Sequence, residues 1–110
     1  MDKFLNVECL GNFSIVRISG EVDLYTAPSL DMCLQELITA GNLRIALDFE
    51  FCDYLDSEGI KVLVKAYRLL KDKGELVLCG AKGTVARVLS VSTLDRILKV
   101  YPSVDDLDRI

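Results

Sequence analysis

The chain of 110 residues has no histidine. The commonest general base near neutral pH is therefore missing, and neither a Ser/His nor a Cys/His nucleophile pair can be assembled. The usual companion of cysteine in zinc sites goes with it. Cys9, Cys33, Cys52 and Cys79 lie far apart in the chain, without the paired spacing that metal ligands require. They are expected as free thiols among apolar neighbours, acting as small hydrophobes in a reducing compartment. Apolar runs are short as well: none approaches the ~18 residues that suggest a membrane span. The segment MDKFLNVECLGNF lacks the apolar stretch and cleavage site of a secretory signal. A cytoplasmic protein, working away from membranes, is expected. Positive charge is also in short supply, with 13 Lys and Arg against 17 Asp and Glu and a net charge of −4. That balance argues against nucleic acid as a partner, because binding to a phosphate backbone rests on basic neutralisation. No cofactor, metal or catalytic group of the chain's own is expected, and the remaining partners are proteins or small molecules.

What is present has the length and apolar content of one domain, expected over residues 1–110. LRIALDF alternates, with Leu43, Ile45, Leu47 and Phe49 on one face and Arg44, Ala46 and Asp48 on the other, and predicts a strand over 43–49. FSIVRIS from Phe13 and ELVLCG from Glu75 read as further strands, FLNVECL pairs with the first through a Gly11-Asn12 turn, and a short strand falls near Ile97 to Tyr101. Helices are predicted between them. In 27–40, Leu30, Cys33, Leu34, Leu37 and Ile38 form one apolar stripe, with Thr26 placed to cap, Pro28 in the first turn and Gly41 at the end. In 57–73 the apolar positions include Ile60, Leu63, Val64, Tyr67 and Leu70, and Lys61, Lys65, Arg68 and Asp72 form an opposite face expected to be solvated. Residues 84–90 make a short helix, and Ser103 with Asp106 has the spacing of a capping-box variant. The order β-β-α-β-α-β-α-β-α predicts an α/β fold, a mixed, mostly parallel sheet covered by helices.

The segment YLDSEGIKVLV, Tyr54 to Val64, carries the candidate site. Ser57 stands where a polar stretch becomes an apolar helix, at a strand-to-helix junction of the kind that handles ligands and modifications. Serine at a helix start is ordinarily a cap worth ~1 kcal/mol. Asp56, however, already offers a capping carboxylate, and Gly59 in the first turn leaves open space that is expected to keep Ser57 accessible. Glu21 and Asp23 of GEVD are expected at the same sheet edge as Asp53, Asp56 and Glu58, an acidic surrounding in which an added phosphate is a strong perturbation. CGAKGT, 79–84, lacks Walker spacing and reads as a turn followed by a Thr84 cap.

Taken together, ISGEVDLYTAPSL, LDFEFCDYLDSEGIKVLV, GELVLCG and LDRILKVYPSVDD resemble the STAS domain of bacterial anti-sigma-factor antagonists, from about Val7 to Asp108. The central motif of the resemblance is Asp-Ser-x-Gly, here Asp56, Ser57, Glu58 and Gly59. The resemblance implies a small non-enzymatic α/β domain that binds an anti-sigma factor serine kinase and thereby releases a sigma factor. It implies phosphorylation of Ser57 by the bound kinase, release of the antagonist, and resetting by a PP2C-type phosphatase. Glu21, Asp23, Asp56, Glu58 and Gly59 are the partner-binding positions this suggests. The position after the serine, more often small or hydroxylated in the family, is Glu58. Two other readings have the same fold: an accessory subunit of a transporter or stress-signalling complex without phosphorylation, and a nucleotide-binding module using CGAKGT and the helix start at Ser57.

Overall fold

The alternating segment after Leu43 becomes the middle strand of a five-stranded sheet in the computed structural model, which describes residues 4–109. Residues 1–3 and 110, the extremities of the expected domain, lie outside the described residues. The elements are β1 (Leu5–Leu10), β2 (Phe13–Val22), α1 (Ala27–Thr39), β3 (Arg44–Leu55), α2 (Ser57–Leu70), β4 (Glu75–Cys79), α3 (Gly83–Val91), α4 (Leu94–Ile97), β5 (Lys99–Tyr101) and a C-terminal 3-10 helix, Val104–Arg109. Sheet order follows chain order. β1 runs antiparallel to β2, and the other neighbours are parallel, so the sheet is mixed and mostly parallel as the sequence predicts. Gly11, at φ +60°, takes the left-handed conformation that lets the β1–β2 hairpin turn in two residues.

The alternation sorts the core into two layers. Ile45, Leu47 and Phe49 are fully buried on the face that packs with Leu30 and Leu34 of α1, Leu63 and Leu70 of α2, and Val85 and Leu89 of α3. Each such aliphatic side chain contributes roughly 1.5–3 kcal/mol on burial. Ala46 faces the other way, into a smaller cluster with Phe13, Ile15, Val77 and Cys79, closed by Val104 and Leu107 of the 3-10 helix. The reciprocal cap expected there is present: Ser103 N–H donates to Asp106 Oδ2 at 3.1 Å and Asp105 N–H donates to Ser103 Oγ at 3.1 Å.

Several elements differ from their predicted bounds. β3 continues to Leu55, six residues past Phe49, because hydrogen bonding to β2 persists although the alternation fails: Glu50 and Phe51 are both exposed. The β2–β3 register shifts between Arg17 and Ser19 and again between Gly20 and Glu21, which absorbs the irregularity. α2 ends at Leu70 rather than Lys73, where Gly74 N–H closes back on the Leu70 carbonyl at 2.7 Å. α3 starts at Gly83, with Lys82 at its boundary and no side-chain cap hydrogen bond among the described residues, so Thr84 lies inside the helix and is not its cap. The short α4, entered through Thr93 at φ +63°, occupies part of the stretch read as the last strand. Cys33, Cys52 and Cys79 are wholly or partly buried, whereas Cys9 is exposed on the edge strand β1, against the expectation for it.

Candidate functional site

Because β2 and β3 are parallel, their carboxyl ends reach the same edge, with Val22 opposite Leu55. Asp56 leaves that edge still tied to it, its N–H donating to the Val22 carbonyl at 3.1 Å. Its backbone is extended (φ −111°, ψ −171°), and its Oδ1 accepts from the N–H groups of Glu58 at 2.9 Å and Gly59 at 3.3 Å. Two of the amides that a helix start leaves unpaired are thereby satisfied. The cap of α2 is Asp56, as the sequence suggested.

Ser57, the first residue of α2, is exposed, and its hydroxyl has no hydrogen-bond partner among the described residues. The acids follow the expected placement at this edge. Glu21 is exposed near the end of β2, opposite Tyr54, and Asp53 is exposed near the end of β3. Glu58 is not a free charge, since its Oε2 pairs with Lys61 Nζ at 3.1 Å. Asp23 is engaged inside its own loop, where Oδ1 accepts from Tyr25 N–H at 2.9 Å and Thr26 N–H at 3.1 Å. Thr26 does not cap α1 as predicted. Its hydroxyl donates to the Glu21 carbonyl at 2.7 Å and accepts from Asp23 N–H at 2.9 Å, so it fastens the loop that leads into the helix.

Gly59 departs from its expected role. It is buried beneath the helix start, and a Cβ there would press into Leu55 Cδ1 and lie 2.8 Å from Val22 Cγ1. Its missing side chain makes room for the strand ends rather than for a partner. The result is a helix start seated directly on the core, with Ser57 on its outer side. Below it, Cys52 is buried, and burial raises its thiol pKa despite a hydrogen bond from Sγ to the Tyr54 carbonyl. A buried, protonated thiol is not a nucleophile for this edge.

Two grooves flank α2 at this end. One, of about 290 Å³, lies toward α1 and includes Leu24, Pro28, Asp31, Glu58 and Lys61 in its lining. The other, of about 390 Å³, lies toward α3 and is lined by Ser57, Ile60, Arg87, Val88, Val91 and Ser92. The loop held by Asp23 and Thr26 projects Leu24 and Tyr25, which are 61% and 86% exposed, and Val91 is 79% exposed beside the second groove. Sequence reasoning passed over these residues. Leu24-Tyr25 carried a signal, two large apolar residues in a polar turn; Arg87 and Val91 carried none, since only the packing of α3 on the sheet brings them to the groove that Ser57 lines. The basic stripe of α2 is solvated as expected, with Lys65 pairing across to Asp31 at 3.2 Å. CGAKGT serves as a turn: Gly80 has φ +71°, and a Cβ there would stand 2.9 Å from Asp48 Oδ1. Among the described residues no helix is long and apolar enough to cross a membrane.

Among the described residues no base is hydrogen-bonded to the Ser57 hydroxyl. It can be an acceptor in another protein's active site. Comparison with known proteins supplies the context. The STAS domain family matches residues 4–107. An anti-sigma F factor antagonist of Paenibacillus polymyxa is 34% identical over 89 residues, covering 79% of this chain and 76% of the relative. A solved anti-sigma factor antagonist from Mycobacterium paratuberculosis has a TM-score of 0.86 at 28% identity, over 93% of this chain and 87% of the other. A Thermotoga maritima structure described in the same terms has a TM-score of 0.90 at 22% identity, over 97% and 93% of the two chains, a likeness of fold.

Proposed function

This chain belongs to the STAS domain family, and from that premise we propose that it is an anti-sigma-factor antagonist switched off by phosphorylation of Ser57. It binds an anti-sigma factor that is a serine kinase, and the sigma factor held by that kinase is released. The observation that carries this reading is the exposed Ser57 hydroxyl, without a hydrogen-bond partner among the described residues because Asp56 supplies the cap. The partner surface is the edge around it, with Glu21, Asp23, Asp56 and Glu58 as its polar part and Leu24 and Tyr25 as its apolar part. Gly59 contributes from below by seating the helix. In the switching step the Ser57 oxygen attacks the γ-phosphorus of ATP held by the kinase, its proton passes to a base of the kinase, and ADP departs. The phosphate adds about −1.5 to −2 charges to an edge already acidic, and a surface complementary to a neutral hydroxyl loses affinity through repulsion and desolvation. A PP2C-type phosphatase restores the hydroxyl by hydrolysis. The protein itself acts by binding, in the cytoplasm, without cofactor, membrane or nucleic acid.

Incubation with ATP and the cognate kinase, followed by intact-mass measurement and peptide mapping, tests this. One phosphate on Ser57 and none on Ser57→Ala are expected. Phosphate at unchanged stoichiometry on the alanine variant would move the acceptor elsewhere, with the exposed Ser29 next in line.

A further inference from the structure

Arg87, in the middle of α3, is exposed and in no ion pair among the described residues. It shares with Ser57 the lining of the α2–α3 groove, and no carboxylate lines that groove. The other cations close to Ser57 in the chain are already engaged: Lys61, one turn further along α2, holds Glu58 at 3.1 Å, and Lys65 holds Asp31 at 3.2 Å, and neither lines the α2–α3 groove. The acids Glu21, Asp23, Asp53, Asp56 and Glu58 belong to the sheet edge and the helix start. A phosphate on Ser57 therefore has acids on one side and, across an apolar groove, one uncommitted guanidinium on the other. The planar fork of arginine matches two phosphate oxygens at once, a geometry that lysine lacks.

We propose that Arg87 is the internal receptor for phosphate on Ser57, forming an ion pair across the α2–α3 groove. The inference rests on the phosphorylation of Ser57 proposed above. The pair draws the phosphate over Ile60 and Val88, so that one modification both adds charge to the edge and closes the apolar groove beside it. Arg87 also balances the phosphate against Asp56 and Glu58, so the modified protein keeps its helix start. Off-switching then has two parts, repulsion at the acidic edge and occlusion of the groove.

The test uses the full chain with phosphoserine installed at position 57 during synthesis, so that it needs no kinase. Phosphorus NMR follows the second ionisation of the phosphate, ordinarily near pH 6. A paired guanidinium favours the dianion, so the midpoint in the otherwise unaltered protein should lie below that of Arg87→Gln by about half a pH unit or more. Arg87→Lys should fall between them, and Lys61→Gln should move the midpoint by less than half as much as Arg87→Gln. Equal midpoints with and without Arg87, or a shift in Lys61→Gln as large as in Arg87→Gln, would overturn the proposal. Circular dichroism on each variant checks folding, and Arg87→Lys keeps the test decisive if the glutamine variant is unstable. Failure of the kinase assay above would remove the phosphorylation reading while leaving this titration to give its own answer.

Discussion

At the scale of single residues, Asp56 takes the capping task and leaves Ser57, the proposed acceptor, exposed. The carboxylate takes both cap hydrogen bonds, so Asp56→Ala should lose about 1 kcal/mol of unfolding free energy. Ser57→Ala removes a hydroxyl without a hydrogen-bond partner among the described residues and should stay within about 0.5 kcal/mol. Urea denaturation of both variants measures the contrast, and a larger loss in Ser57→Ala would return the cap to the serine. Cys79 carries the clearest pH dependence. It is fully buried, and its thiol is pushed up to about 12, first by burial and then by the negative charges of Asp48 and Asp106. The folded protein thus holds this proton more tightly than the unfolded chain does. Its contribution to stability is complete below the ordinary thiol value of 9.0 and is lost as pH rises from there toward about 12. Unfolding free energies measured from pH 7 to 11 should decline above about 9 in the unaltered protein and less steeply in Cys79→Ala. Equal slopes would assign the decline to other groups.

At the scale of elements, the start of α2 depends on a close approach that only glycine permits. Alanine at position 59 is the better helix former by up to ~1 kcal/mol, but its Cβ would drive into Leu55 and Val22. The clash should win, and Gly59→Ala should be destabilised by about 1–3 kcal/mol in the same denaturation experiment. An alanine variant as stable as the original protein would show that the strand ends yield. This seating was not legible from the sequence, where a glycine in a first turn reads equally well as open space above the serine. The segments with a clean period were legible: β3 through Phe49, the apolar stripes of α1 and α2, and the carboxylate cap at Asp56. The extensions of β2 to Val22 and β3 to Leu55 were not, because bulges break the alternation while pairing continues. Thr26 misled for a related reason: its hydroxyl closes the turn at Asp23 instead of the helix amides. The acidic edge could be inferred from parallel strands alone, whereas Arg87 reaches the groove that Ser57 lines only through the packing of α3.

At the scale of the molecule, one sheet separates the buried cores from the edge proposed for recognition. α1, α2 and α3 share the larger core, the C-terminal 3-10 helix closes the smaller one, and the Ser57 edge lies at the end of the strands, where β3 passes into α2. Leu107→Ala should therefore cost about 2 kcal/mol or more while leaving partner affinity unchanged, as calorimetry at a temperature where the variant is folded would read. The central claim is that charge at Ser57 breaks the complex without breaking the fold. Titration calorimetry of the anti-sigma kinase with the unmodified protein, Ser57→Asp and the Ser57-phosphorylated form measures it most directly. An aspartate buried at the centre of an interface without a partner costs several kcal/mol, so its affinity should fall by at least about 100-fold, and the phosphorylated form by more, with unchanged circular dichroism. Unaltered affinity in a well-folded aspartate or phosphorylated protein would contradict the switch and leave Ser57 an ordinary surface serine.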